Sequence, residues 1–472
     1  MEKNRVLEEV YQWIDDRRDQ LLAELAELVA VPSVSDASAT VKPFGQGCRD
    51  VLDLMLQKGE NAGFAVQNFD NYVGSVLYDV GADSANTIGI WAHLDVVPEG
   101  DNWQTDPYQM VLKDGFMFGR GVSDNKNAAI GTFYIQQALR ACKVPLKHNI
   151  QLFLGTSEET GMDDVKYYVQ HYPVPKFSFV PDYGFPGTCG EFGRLEYDLV
   201  SKRPLSDNIL AFYAGSVFNI IPNKATVVLK KTDGLDLSCI PAEGYTVTQT
   251  DETVTVVAAG LSSHAAAPQR GVNAIHQLTK VLCEMPGICE NDRKIFRFLT
   301  DVNSDCYGTY LGFAKTDEVS GETVSSGTIV SVKDGIVRLT NDCRHCVTDT
   351  NENIIASIEK NCAANDFVLE VKQASQPYFI DPNSEVIQML TKLYQDFTGE
   401  TDGFTISKGG TYAGKVPNAV ATGICFYGAY PRAVLPMGHG GAHQPDEHLN
   451  IDGFFAGIKM LLSYILHLDE VL

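Results

Sequence analysis

Acidic and imidazole side chains follow three short apolar segments of the sequence, at the point where each segment ends. The segments span residues 88–92, 150–154 and 177–180. The carboxyl ends of parallel strands meet at one edge of a sheet, where ligands bind. We therefore expect the residues after these segments to lie together; they are His93, Asp95, Glu158, Glu159 and Asp182.

Carboxylates placed together repel one another unless a positive group holds them. Imidazole and carboxylate ligands without thiolate suit zinc, manganese or cobalt. Glu158 and Glu159 are adjacent and cannot point the same way at a strand end. One can bind metal while the other acts as a general base, which is what metal-assisted hydrolysis requires. Taken singly, each residue could instead be a hydrogen-bonded histidine, a helix-start acid or a turn residue.

A glycine-rich segment, residues 119–126, precedes a predicted helix. It lacks the third glycine of a dinucleotide-binding GxGxxG, and no clear strand precedes it. The alternative is that it presents Asp124 near the helix N-terminus as one more metal ligand.

The apolar spacing predicts a strand–helix alternation on both sides of a middle region richer in alternating strands. Predicted helices span 4–30, 48–62, 127–142, 163–172, 273–285, 352–365, 384–397 and 451–466. Predicted strands span 65–68, 75–78, 88–92, 150–154, 177–180 and 419–426. The pattern predicts an α/β fold: a mostly parallel sheet with helices on both faces, interrupted by a large α+β lid. The expected boundaries are 1–189 and 382–472 for the catalytic domain and 190–381 for the lid.

The composition is that of a globular protein of 472 residues, 44% of them hydrophobic. The net charge of −23 disfavours nucleic-acid binding. Eleven scattered cysteines form no disulfide framework, and Cys343 and Cys346 are interpreted as two strand cysteines. No stretch reaches the roughly 18 uncharged apolar residues of a membrane span, and the N-terminus is charged. We expect a cytoplasmic protein with reduced thiols and no membrane partner.

Six ordered motifs resemble the aminoacylase–carboxypeptidase–dipeptidase family of di-zinc hydrolases. They are His93-Leu-Asp-Val-Val-Pro, Gly119-Arg-Gly-Val-Ser-Asp-Asn-Lys, Glu158-Glu-Thr-Gly, Gly260-Leu-Ser-Ser-His, Gly409-Gly-Thr-Tyr-Ala and His443-Gln-Pro-Asp-Glu. The match spans nearly the whole chain. The length and the large middle insertion look most like the long-lid bacterial dipeptidases of the Xaa-His or β-Ala-His type.

The resemblance implies two divalent metal ions, zinc first and manganese or cobalt as alternatives. His93 and Asp182 would bind one ion, and Glu159 and His443 the other. Asp124 would bridge them, together with a water or hydroxide. His443 is favoured over the other C-terminal histidines because it carries the H-x-P-x-E context.

The resemblance also assigns the catalytic and substrate-binding side chains. Glu158 would be the general base, and Asp95 would hold the ring of His93. His264, from the lid, would hydrogen-bond the oxyanion. The residues that would contact substrate are Asn219, Arg344, Gly410 and Thr411, with Arg344 gripping a free α-carboxylate.

The sequence departs from the family pattern at three positions. Asn125 and Asn127 stand where Asp and Gly are common, and Gly414 stands where Arg often follows Gly-Gly-Thr-Tyr-Ala. The last departure puts the carboxylate-binding pattern in question. We expect a cis peptide after Asp124, and His439 in a mobile loop near substrate.

The resemblance implies a di-metal hydrolase that cleaves dipeptides or short peptides with a free N-terminus. Two alternatives stay open: an N-acyl-amino-acid deacylase or desuccinylase, and a non-catalytic metal-containing binding protein. A lid this long predicts that His264 acts within its own chain, so that a monomer suffices, although a dimer is possible.

Overall fold

The computed structural model describes residues 2–472, and the side chains from residue 6 onward. It contains ten α-helices in this part of the chain. They are α1 Glu2–Asp15, α2 Arg18–Val29, α3 Gln46–Asn61, α4 Lys126–Ala141, α5 Asp163–His171, α6 Ala274–Glu284, α7 Glu290–Val302, α8 Asn351–Ala364, α9 Glu385–Thr398 and α10 Ile451–Val471.

Twenty-two strands accompany these helices in the described residues. The first eleven are β1 Ala65–Phe69, β2 Val73–Tyr78, β3 Thr87–His93, β4 Val111–Lys113, β5 Phe116–Phe118, β6 Asn149–Gly155, β7 Phe177–Val180, β8 Thr188–Glu191, β9 Gly193–Ser201, β10 Ile209–Ala214 and β11 Lys224–Lys230. The others are β12 Tyr245–Gln249, β13 Thr253–Ala259, β14 Thr316–Asp317, β15 Gly321–Glu322, β16 Val324–Lys333, β17 Ile336–His345, β18 Phe367–Ser375, β19 Tyr378–Phe379, β20 Thr405–Ser407, β21 Ala419–Ala421 and β22 His448–Asn450.

The chain forms two compact units. The first comprises Met1–Gly190, Ile380–Thr405 and Gly410–Leu472. Seven strands of its main sheet follow the order β1-β2-β6-β3-β7-β21-β8. The four central strands β6, β3, β7 and β21 are parallel, and antiparallel strands flank them. Every residue of β3 and β7 is buried, as expected for strands covered on both faces.

The second unit comprises Glu191–Phe379 and Ile406–Gly409. The eight strands of its main sheet are all antiparallel, in the order β12-β13-β11-β10-β16-β17-β9-β18. Apolar residues of α6, α7 and α8 pack with the sheet into one core. The observed architecture is mixed α/β, which confirms the predicted fold class.

The predicted single helix over residues 4–30 is wrong, because the chain forms α1 and α2 instead. The Arg17 N–H donates to the carbonyl of Ile14, and the Arg17 guanidinium donates to the carbonyl of Trp13 at 3.2 Å. The side chain thus takes the carbonyl that a continuous helix would pair with the Arg17 backbone. The prediction also missed α7, although its apolar residues have helical spacing.

The predicted strand 419–426 ends after three residues, at Ala421. The Thr422 N–H donates to the carbonyl of Val180 in β7, and the Thr422 carbonyl accepts from the Tyr183 N–H. Gly423 lies against Phe185. The Phe426 N–H then donates to the carbonyl of Gly453 in the first turn of α10, so this segment bonds to a helix instead of extending the sheet.

The last helix is five residues longer than the predicted 451–466. In the described part of the chain, α10 alone is long and apolar enough to cross a membrane, and 67% of its apolar window is buried within the protein. Short strand β5 lies directly before Gly119, where no clear strand was predicted. Cys343 lies in β17 and Cys346 follows that strand, and both are free thiols.

Candidate metal centre

The Asp124 carboxylate lies between two histidines in the first unit. Its Oδ1 is 3.0 Å from His93 Nε2, and its Oδ2 is 3.2 Å from His443 Nε2. His443 Nε2 is also 2.9 Å from Glu159 Oε1, and His93 Nε2 is 3.8 Å from Asp182 Oδ2. The fold thus brings together the five side chains to which the resemblance assigns metal binding.

The parallel strands explain why residues so far apart in sequence meet. His93 is the last residue of β3, and Asp182 and Glu159 follow β7 and β6 by a few residues. Neighbouring parallel strands end at the same edge of the sheet. Asp124 comes from the loop before α4, and His443 from the loop before β22, where its φ of 63° is left-handed.

A backbone hydrogen bond orients the ring of His93. Its Nδ1 is 2.9 Å from the backbone carbonyl of Asp95, so the ring donates there and presents Nε2 to the cluster. The Asp95 carboxylate, 3.5 Å from Nδ1, instead accepts the backbone N–H groups of Glu158 and Glu159, each at 3.1 Å. Its side chain therefore holds the loop of the two glutamates more closely than it holds the imidazole.

The site concentrates negative charge in a buried place. Burial and the charge of Asp182 raise the pKa of Glu158 well above its usual value. Burial and the charge of Asp124 raise the pKa of Asp182 in the same way. Burial also opposes ionisation of Asp124, but hydrogen bonds from His443 and His93 hold its pKa below the ordinary value. Four carboxylates here share two imidazoles.

This donor set fits divalent cations. Two groups have ligand atoms within 4.8 Å of one another: His93, Asp124 and Glu159, and His93, Glu158 and Asp182. Among residues 6–472, no lysine or arginine nitrogen lies within 4.0 Å of these four carboxylates, whose ion pairs are with histidine only. Oxygen and imidazole donors without a competing ammonium or guanidinium are what zinc, manganese or cobalt require.

Asn125 departs from the family pattern and has a defined contact. It follows Asp124 through a cis peptide bond, as the resemblance implied. Its Nδ2 donates to Asp182 Oδ1 and to the carbonyl of Pro181, both at 3.0 Å. The side chain of an aspartate at this position would have no N–H to donate. The Asn125 amide therefore gives Asp182, a predicted metal ligand, an additional hydrogen bond. The Asn127 side chain is buried, and neither of its polar atoms has a hydrogen-bond partner in the described residues.

Glu447 clamps the loop that carries Asp124. Its carboxylate is fully buried and accepts from the Arg120 guanidinium at 2.7 Å. It also accepts the backbone N–H groups of Gly121 and Asp124 at 3.1 Å and that of Ser123 at 2.8 Å. Glu447 is the last residue of the H-x-P-x-E motif that begins at His443, so this motif also marks the residue that clamps the Asp124 loop.

A second buried carboxylate supports the loop of the glutamates. Asp164 accepts the backbone N–H groups of Thr156 and Ser157 at 2.6 and 2.8 Å, and the Tyr412 hydroxyl donates to it. Tyr412 lies inside the Gly-Gly-Thr-Tyr-Ala motif, which could have pointed to it. Asp164 had no sequence signal, because an acid in the first turn of a helix is ordinary.

His264 and Asn219 lie in the second unit. His264 Nδ1 accepts the Ala266 N–H at 3.0 Å, which leaves Nε2 to carry the ring proton. Burial lowers the pKa of His264, and the positive charge of Arg344 lowers it further. The carbonyl of Asn219 accepts the Ala265 N–H at 2.8 Å, so the segments of Asn219 and His264 run side by side.

Arg344 is 4% exposed in the same unit. Its Nε and Nη2 donate to the two oxygens of Asp342 at 3.1 Å, and its Nη1 donates to the backbone carbonyl of Lys408. A guanidinium has five N–H groups, so one remains on each terminal nitrogen for a ligand.

Gly410 and Thr411 belong to the first unit, where the Thr411 hydroxyl accepts the Ala413 N–H at 3.1 Å. His439, expected in a mobile loop, has its Nδ1 2.6 Å from the carboxylate of Asp446. That carboxylate also accepts from the backbone and side chain of Gln104.

Comparison with known proteins places the chain among peptidases. The family profile described as "Peptidase family M20/M25/M40" matches residues 89–467. "Putative dipeptidase YtjP" of Bacillus subtilis is 28% identical over 96% of this chain and 98% of the relative. "Beta-Ala-Xaa dipeptidase" of Lactobacillus delbrueckii subsp. lactis is 28% identical over 96% of this chain and 97% of the relative.

Solved structures share the fold at low sequence identity. Aminoacylhistidine dipeptidase from Vibrio alginolyticus has a TM-score of 0.58 and 13% identity, covering 94% of this chain and 96% of that one. Human carnosine dipeptidase 1 has a TM-score of 0.57 and 16% identity, covering 99% of each chain. Since the family profile spans most of its length, the protein is a member of peptidase family M20/M25/M40.

Proposed function

We propose that the protein is a di-metal dipeptidase that hydrolyses dipeptides with a free N-terminus. The observation that carries the proposal is the position of Asp124, whose two oxygens lie 3.0 and 3.2 Å from His93 and His443. A carboxylate that offers one oxygen to each of two ligand groups is suited to join two cations. Two relatives of this protein are named as dipeptidases and align over almost their whole length, which favours a dipeptide substrate.

His93 and Asp182 would hold one cation and Glu159 and His443 the other, with Asp124 shared. Divalent cations bound there supply Lewis acidity toward a carbonyl group and toward water. Zinc is the first choice for this donor set, with manganese or cobalt as alternatives.

Glu158 would take a proton from the attacking water and pass it to the leaving amine. A general base works best when its pKa approaches the working pH, and burial beside Asp182 moves the Glu158 carboxyl in that direction. The backbone of Glu158 is held by the Asp95 carboxylate, so the base is oriented by a neighbouring element.

His264 would donate from Nε2 to the oxygen on which negative charge develops. The Ala266 N–H occupies Nδ1, which fixes the tautomer this role needs. The lowered pKa favours a neutral imidazole at neutral pH, which donates only through the protonated nitrogen.

Arg344 would bind the α-carboxylate of the substrate through its remaining N–H groups. Asn219, Gly410 and Thr411 would complete the substrate contacts. In this proposal the segment 190–381 acts as a lid that delivers His264 from the same chain, so that a cytoplasmic monomer is active. Light scattering that finds an obligate dimer, with activity lost on dilution, would contradict the last point.

The test is a substrate panel for wild type and Glu158→Ala, each loaded with zinc or manganese. We expect wild type to cleave dipeptides but not the matching N-acetyl or N-succinyl amino acids. Glu158→Ala should lower kcat by about 100-fold or more. Elemental analysis should find two metals per chain in both proteins.

A matched control is Glu359→Ala, which removes an exposed glutamate of α8 and should leave kcat unchanged. Activity of Glu158→Ala within a few-fold of wild type would overturn the assignment of the base. Preference for the acylated amino acids would replace the dipeptidase proposal with a deacylase.

A further inference from the structure

The second unit places two like charges opposite each other on its sheet. Arg194 of β9 and Arg344 of β17 are direct partners in the antiparallel register. Like charges in this position destabilise a strand pair. In the described residues, the only carboxylate within 4.0 Å of either guanidinium is that of Asp342, at 3.1 Å from Arg344 and 3.9 Å from Arg194. One carboxylate therefore faces two cations.

Lys408 adds a third cation to this cluster. Its carbonyl accepts from Arg344, and its ammonium nitrogen lies 5.2 Å from the centre of the Phe192 ring. Within residues 6–472, no carboxylate lies within 4.0 Å of this nitrogen; Glu322 acts on it from a greater distance. The Lys408 side chain is half-buried, with an aromatic ring beside its ammonium group.

Arg194 is held in a similar way. Its guanidinium carbon lies 5.1 Å from the centre of the Phe218 ring, and its side chain is 34% exposed. Glu196 acts on it only from beyond ion-pair distance and lies 3.9 Å from Lys372. Arg194 is thus positioned by an aromatic ring and a strand, while most of its N–H groups remain available.

Two members of the cluster, Arg344 and Arg194, act on His264, the residue proposed to stabilise the oxyanion. After burial, the charges of Arg344 and Arg194 are the main influences that lower the pKa of His264. Arg344 and Arg194 therefore lie near bound substrate, if the proposed function is correct, and Lys408 adjoins Arg344 through its backbone carbonyl. With Asp342 and one α-carboxylate present, the three cations exceed the anions by one charge for a substrate with a neutral side chain.

We propose that Arg194 and Lys408 form a second anion subsite beside Arg344, and that the preferred substrates are dipeptides with a C-terminal Asp or Glu. This inference rests on the proposed function, in which Arg344 takes the α-carboxylate. The side-chain carboxylate of an acidic C-terminal residue supplies the negative charge that the cluster lacks. A neutral residue leaves this excess positive charge without a partner when water is excluded, which selects against it.

The experiment compares kcat/KM for Ala-Glu with kcat/KM for the isosteric Ala-Gln. We expect wild type to favour Ala-Glu by about tenfold or more, as for one charge-assisted hydrogen bond. The ratio should fall in about 0.5 M salt, because salt screens a partly exposed ion pair. Lys408→Met should compress the ratio to within about threefold, and Lys408→Arg should restore it.

The matched control is Lys392→Met, which removes the same charge from a 70% exposed lysine of α9 and should leave the ratio as in wild type. Since each ratio is measured on one preparation, it does not depend on how much of a variant is folded. Equal hydrolysis of Ala-Gln and Ala-Glu by wild type, or an unchanged ratio in Lys408→Met, overturns the subsite and leaves the dipeptidase proposal standing. Failure to cleave any dipeptide overturns both.

Discussion

The Glu447 carboxylate accepts the backbone N–H of Asp124 at 3.1 Å, so a buried acid that touches no predicted substrate group positions the residue at the centre of the metal cluster. Because Glu447 also pairs with Arg120 at 2.7 Å, this clamp joins two motifs that are more than 300 residues apart.

Glu447→Gln removes the charge that offsets buried Arg120 and weakens the hold on the Asp124 loop. Breaking one partner of a buried ion pair destabilises by about 3–5 kcal/mol, and the retained amide oxygen places this variant at the low end. Chemical denaturation should show this loss, and metal titration should show weaker binding. The exposed Glu359→Gln serves as the control; equal stability and metal affinity of the two variants would contradict the clamp.

Removal of metal should lower the thermal stability of the protein at neutral pH. Four carboxylates then remain together with two imidazoles, and their repulsion is relieved only by taking up protons. The midpoint of thermal unfolding should fall on chelation and recover with zinc or manganese. In Asp124→Asn most of this metal-dependent shift should disappear; an undiminished shift would place the cations elsewhere.

Asp164 should make stability depend on pH. Burial, with the charge of Asp95, raises its pKa from 3.8 to about 6. The folded state therefore holds the proton more tightly, so this contribution is complete below about pH 4 and is lost as the pH rises through 6. The stability difference between wild type and Asp164→Asn should be larger at pH 4 than at pH 7 by about 2 kcal/mol. Urea unfolding of wild type and Asp164→Asn at pH 4 and pH 7 measures this difference in stability. A difference that is larger at pH 7 than at pH 4 would contradict the prediction.

Gly155→Ala should disturb the loop that carries the two glutamates. A Cβ at Gly155 would overlap the Tyr412 hydroxyl and come within 2.6 Å of Asp164 Oδ2. Overpacking of a tight site costs about 2–3 kcal/mol, and kcat should fall because Glu158 follows closely. Gly428→Ala is the control, since a Cβ there meets no atom within 4 Å. Equal stability of the two variants would show that the hydroxyl moves freely.

The fold class and most elements could be predicted because burial imposes a period on the sequence. β3 and β7 are fully buried and β6 is buried except at Gln151, so these strands stand out as short apolar runs, and β7 was predicted to the residue. The single helix over residues 4–30 failed because the Arg17 side chain replaces a backbone donor. The strand at 419–426 failed because its second half packs on α10, a contact between distant segments that periodicity does not encode.

The sequence by itself pointed to His93, Glu159 and Asp182 as metal ligands, because residues that follow parallel strands meet at one sheet edge. His443 came from the family resemblance alone. Only the tertiary structure decided how they are supported. Asp95 holds the glutamate loop with its side chain and His93 with its backbone, and Glu447 clamps Asp124. These contacts form only when distant segments of the chain lie within hydrogen-bond distance of one another, about 2.7–3.2 Å. Residue type and spacing identify the donors, whereas packing selects the partner of each one.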